Sequence, residues 1–155
     1  MDRQRSCFFI GHREADASLL PHITEAIERL IMDCGVTAFY VGGYGHFDAL
    51  AGNAVIKLKE NYPQLLLFRV IPYHPTERPV TVPKGYNGTY YPPDMERVPR
   101  RFAIPRANRA MIDGSDFLIA YVRRDMLSNS YEILEYARRR EKRGLIHVEN
   151  LAERL

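Results

Sequence analysis

The sequence predicts an α/β fold: a doubly wound, mostly parallel, five-stranded Rossmann-like sheet with helices on both faces. Three observations carry this. Apolar runs of four to seven residues alternate with longer stretches whose apolar residues recur at helical spacing. The run "LLLFRVI" at 65–71 is apolar on both faces apart from Arg69, as a strand covered by helices on either side requires. Glycine or proline separates the segments.

The elements follow in order. "SCFFI" at 6–10 is a first strand ending at Gly11. Leu19, Leu20, Ile23, Ala26, Ile27, Leu30 and Ile31 mark a first helix, with Asp16 or Ser18 to cap it and Gly35 to end it. "TAFYV" at 37–41 is the second strand. Phe47, Leu50, Ala51, Ala54, Val55 and Leu58 then form one face of a second helix, closed by "NYP" at 61–63. After the third strand at 65–71 comes a break, and "DFLIAYV" at 116–122 is the fourth strand. A helix over 130–143, with Tyr131, Leu134 and Ala137 inward, leads through Gly144 to a last strand, "LIHV" at 145–148. Right-handed crossovers imply the order 3-2-1-4-5, with a ligand crevice at the carboxyl ends of strands 1 and 4.

The break at 72–105 holds eight of the ten prolines and four tyrosines, Tyr73, Tyr86, Tyr90 and Tyr91. Proline at this density argues against a regular core element, leaving a lid over the sheet edge or a surface excursion.

One domain over 1–155 accommodates the chain, whose apolar share is 46% and charged share 26%. The net charge of +3 does not point to nucleic acid. Cys7 and Cys34 have no partner at metal spacing and read as reduced thiols. No apolar stretch approaches the ~20 residues that span a bilayer, so a cytoplasmic protein is expected. A homo-oligomer is compatible with a domain of this size, and nothing implies a cofactor.

The loops after the strands carry the chemistry. "GHRE" follows strand 1 with Gly11, His12 and Arg13; "GGYGHFD" follows strand 2 with Gly42, Gly43, Gly45, His46, Phe47 and Asp48. Glycines between a strand and a helix let backbone approach an anion at the positive end of the helix. The alternative is a tight turn, with Asp48 favouring the helix start electrostatically. "RRDMLSNSYE" follows strand 4; its Ser128, Asn129 and Ser130 offer groups to an anion, and Glu132 joins Asp48 as a candidate general acid or base. The segment "RVPRRFAIPRANR" holds five arginines and no acid; Arg106 and Arg109 fall on one helix face. His12, His46 and His74 follow different strand ends, a spacing set by topology and not by a ligand motif.

Taken together, "CFFIGHRE", "VGGYGHFDALAGNAVIKLKENYP" and "IPRANRAMIDGSDFLIAYV" resemble the YpsA/YoqJ-like branch of the SLOG superfamily over most of residues 6–143. That group is related to the DNA-uptake protein DprA and to the LOG phosphoribohydrolases. The resemblance implies a Rossmann-like domain binding nucleotides or nucleotide-derived ligands. It carries Gly11, His12 and Arg13 over to a first motif, and Gly42, Gly43, Gly45, Phe47 and Asp48 to a second. Arg106, Asn108, Arg109 and Asp116 match a third. Two departures stand out. "LSNSYE" replaces the usual Gly-Gly-Thr turn after strand 4, and Ala49 stands where a LOG enzyme has its catalytic glutamate.

The expected function is therefore binding of a nucleotide or a derivative of one. An N-glycoside hydrolase using Asp48 or Glu132 is the alternative. DNA binding through the arginine-rich surface ranks last, because no reading helix or β-ribbon is evident.

Overall fold

A computed structural model describes residues 4–125 and 129–155. Among these residues, six parallel strands form one sheet: β1 (Arg5–Gly11), β2 (Val36–Val41), β3 (Leu66–Val70), β4 (Gly88–Tyr90), β5 (Phe117–Tyr121) and β6 (His147–Asn150). Their order is β4-β3-β2-β1-β5-β6. Helices α1 (Leu20–Cys34) and α2 (His46–Leu58) cover one face; α3 (Ala103–Gly114) and α4 (Asn129–Lys142) cover the other. Every pairing is parallel.

The alternation of strand and helix is as expected, and the strand count is not. The five-strand sheet lacks β4, which arises inside the proline-rich insertion. Residues 84–91 are free of proline, so their N–H groups can donate to a ladder; Pro83 and Pro92 bound the window. β4 pairs with β3 from Phe68 opposite Gly88 to Val70 opposite Tyr90. The last strand also lies two residues later than expected: Leu145 is 44% exposed, and pairing with β5 begins at His147. Tyr131 is exposed as well, and Ile133 takes the inward place with Leu134 and Ala137.

β1 lies in the middle and alternates its side chains between two cores. Cys7 and Phe9 pack with Ile23, Ile27, Phe39 and Val55, while Phe8 and Ile10 pack with Ile112, Leu118 and Leu134. Asp16 caps the short 3-10 turn before α1 through the Ser18 N–H at 2.8 Å. Gly35 ends α1 at φ 67°, a left-handed conformation that side chains resist. At the opposite, amino edge, Asp116 accepts the Ser6 N–H at 3.0 Å.

Among the described residues, no helix is long and apolar enough to cross a membrane. Both cysteines are free thiols. Burial pushes the Cys7 thiol well above its ordinary range, whereas Cys34 is half-buried.

Candidate functional site at the carboxyl edge of the sheet

The turn between β2 and α2 is built by close approach. Gly11 ends β1 against the ring of Phe47: a Cβ at Gly11 would lie 2.3 Å from the Phe47 Cγ. Phe47 itself is wholly buried and stacks on Tyr121 at 6.3 Å. It anchors α2 from beneath and presents nothing to a ligand. Gly45 caps α2 at φ 153°, ψ 177°, a region essentially reserved for glycine. A Cβ there would strike the Arg13 Cα at 2.8 Å. The loops after β1 and β2 are also joined by hydrogen bonds. The His46 N–H donates to the Arg13 carbonyl at 3.0 Å, and Arg13 Nε donates to the Tyr44 carbonyl at 3.2 Å. Among the described residues, no side chain caps the start of α2.

Asp48 sits in the first turn of α2, where its carboxylate accepts the Tyr44 N–H at 3.3 Å. Burial pushes its carboxyl up to about 6, against the lowering effects of that N–H and of Arg69. Arg69 reaches over from β3, donating to the Gly43 carbonyl at 3.4 Å. Any side chain at Gly43 would occupy the guanidinium's place, with a Cβ 2.0 Å from Nη2. Arg69 had no assigned role in the sequence. Its signal was a lone cation in an otherwise apolar strand.

The insertion closes on this turn from the β3 side. The Tyr86 hydroxyl lies against Gly52 of α2, where a Cβ would come within 2.1 Å. Burial raises the Tyr44 phenol, with Tyr73 adding to the shift and Arg78 and Arg69 opposing it, so all three lie within electrostatic reach of the turn.

His12 has a different part. It is 2% exposed, and its Nε2 accepts the Arg123 N–H at 2.8 Å, which makes Nδ1 the protonated nitrogen of the neutral ring. Burial is the main cause lowering its pKa. The imidazole thus fills the switch point between the ends of β1 and β5, where the expected crevice lay. The groups able to meet a ligand stand instead over β1, β2 and β3. Ser130, in the first turn of α4, donates to the Gly11 carbonyl at 3.3 Å and ties that helix to the same edge.

Other expected site residues are not gathered in. Arg106 is exposed and Asn108 half-buried; among the described residues, no hydrogen bond, ion pair or ring contact joins either to the turn. Arg109 leans toward α4, its Cζ 5.4 Å from the Tyr136 ring centroid. Asn129 and Glu132 are exposed at the start of α4. Ser128 lies outside the described residues.

The histidines are held apart. His46 Nδ1 meets the Ala15 carbonyl, and His74 Nδ1 bonds Thr76 Oγ1 at 2.7 Å. Among the described residues, no three His, Cys, Asp or Glu side chains could share a metal ion.

Two hollows lie elsewhere. One of about 210 Å³ sits between α3 and the sheet, lined by Tyr40, Tyr90 and Met111. A wider one of about 860 Å³ lies at the amino edge. There Asp116 holds the Ser6 N–H and Arg5 holds the Cys34 carbonyl, so the charged groups serve the fold. Neither hollow gathers the glycine turn and cations found at the carboxyl edge. Neither a protein-family model nor a curated protein matches this sequence.

Proposed function

We propose that this protein binds a nucleotide or nucleotide-derived ligand at the carboxyl edge of the sheet, with a phosphate on the turn at 42–46. The observation that carries this reading is the uncapped start of α2 behind Gly45, flanked by the guanidinium groups of Arg13 and Arg69. An anion there completes the helix end and meets two cations. Tyr44, 37% exposed, offers a ring for the base or ribose.

Calorimetric titration with nucleoside monophosphates and ADP-ribose at low salt tests the reading. Wild type binds, and Arg13→Ala combined with Gly43→Ala weakens binding at least about tenfold through loss of a charge-assisted contact and displacement of Arg69. Absence of binding by wild type at millimolar ligand overturns it.

One observation favours a second reading, hydrolysis of an N-glycosidic bond. The Asp48 carboxyl, raised to about 6, is placed in the range of a general acid or base. Release of free base from a nucleotide, abolished by Asp48→Asn, would promote catalysis over binding.

A further inference from the structure

The hollow between α3 and the sheet differs in kind from the carboxyl edge. Of the described residues that line it, none is charged; its walls are aromatic, small or hydroxyl-bearing. Its floor follows from the register of β1 and β2. Ser6 pairs with Ala38 and Phe8 with Tyr40, so a small pair lies beside a large one on the same sheet face. Tyr40 stacks on Phe68 of β3 with ring centroids 5.3 Å apart, and meets Tyr90 of β4 edge-on, also at 5.3 Å. The two tyrosines form an aromatic corner, which β4 completes from within the insertion.

The facing wall is kept low. Ala110 and Gly114 stand one turn apart on α3, and both line the hollow. Glycine in a helix costs stability relative to alanine, so its presence at 114 needs a reason. The backbone supplies none, because the φ of Gly114 lies outside the left-handed region. Packing supplies none either: a Cβ there would meet nothing within 4 Å, whereas one at Gly11, Gly43 or Gly52 would strike a neighbour. What glycine does at 114 is leave the hollow open.

A buried hydroxyl borders the same space. Ser6 is 7% exposed; Asp116 takes its N–H, but among the described residues its hydroxyl has no hydrogen-bond partner. That oxygen is not sealed in the core, since Arg140 Nε alone among the described residues is a fully enclosed side-chain polar atom without a hydrogen bond. It opens onto the hollow that Ser6 lines. The hydroxyls of Tyr40 and Tyr90 likewise bond to no described residue. Burial raises the Tyr40 phenol, with Tyr90 adding to the shift, and so keeps it protonated.

We propose that this hollow is a second binding site, taking an uncharged heteroaromatic ring between the Tyr40–Tyr90 corner and the Ala110–Gly114 face of α3. Size and chemistry carry the assignment. A volume of about 210 Å³ equals roughly seven waters at ~30 Å³ each, the room of a single ring system. Aromatic walls pack against a flat ring, and hydroxyls that both donate and accept match the nitrogens and oxygens along a heteroaromatic edge. An anion would lose its water there and gain no cation in return. The site shares no residue with the turn at 42–46 and does not rest on the nucleotide reading.

The test is an NMR titration of the full isotope-labelled chain with adenine, benzene and inorganic phosphate. Adenine should shift the amides of Ser6, Tyr40, Tyr90 and Ala110 saturably, with a Kd of about 1 mM or tighter. Benzene, whose edge cannot hydrogen-bond, should bind at least about threefold more weakly, and phosphate should leave these amides in place. Gly114→Leu enters open space, so it should keep the fold and lower adenine affinity about tenfold or more. Ser6→Ala should weaken adenine by about three- to tenfold through the lost hydrogen bond. No adenine shift at these amides, benzene bound as tightly, or phosphate shifting the same amides overturns the site. So does an adenine affinity unmoved by Gly114→Leu or, should that variant not fold, unmoved by Ser6→Ala. Adenine shifts confined to residues 42–48 overturn it as well, whatever they say of the carboxyl edge.

Discussion

Replacing Asp48 by Asn should stabilise this protein at alkaline pH and leave it unchanged in acid. The side chain lies in the first turn of α2, accepting the Tyr44 N–H, and burial moves its carboxyl from 3.8 to about 6 on folding. Between those values the native state holds a proton that the unfolded chain has lost. Stability contributed by the neutral acid is therefore complete below 3.8 and lost as the pH rises through 6. Taken at face value, the ionised carboxylate costs about 3 kcal/mol above both values. The residue is only partly buried, so solvent screening brings the expected effect to about 1–2 kcal/mol. Asparagine keeps an oxygen for the Tyr44 N–H and carries no charge. Urea unfolding at pH 8 should show the variant more stable by that amount, about 3–6 °C in Tm for a domain of this size. The advantage should shrink through pH 6 and vanish below pH 4. No advantage at pH 8, or one that stays constant across the range, would refute the assignment of a buried, destabilised carboxylate.

Three further outcomes follow from the same geometry. Gly11→Ala should cost about 2–3 kcal/mol by urea unfolding, since its methyl meets the Phe47 ring at 2.3 Å and the buried ring has no room to retreat; a change under ~0.5 kcal/mol would refute that contact. His12 should titrate below 6.5 by NMR, and its buried neutral form should lose stability to protonation as the pH falls below that value. A titration at or above 6.5 removes its role as acceptor of the Arg123 N–H. Thiol labelling under native conditions should modify Cys34 and spare Cys7, with the second thiol reacting only on unfolding; equal rates would contradict the packing of β1.

Much of the scaffold was legible because its signals are local. The inward faces of α1 and α2 repeat every three or four residues, and the residues expected to be buried on α2 are all buried. Asp16 and Gly35 announce a cap and a stop through their own chemistry. β4 left no such signal, since three residues carry no readable period and pair only because β3 offers a free edge. The site divides in the same way. Glycines after β2 marked a close backbone approach, but what approaches, Arg69 from β3 and Arg13 from the loop after β1, depends on strands brought side by side.

By itself, then, the sequence determined the α/β class, the alternation of elements and the glycine-rich turn at the carboxyl edge, all of which depend on residue type and short-range spacing. Tertiary structure alone decided how the candidate groups divide. His12 is buried at the switch point, Arg109 turns to Tyr136, and Arg69 reaches over to Gly43. Those positions are set by burial and by contacts between residues tens of positions apart, which no local pattern encodes.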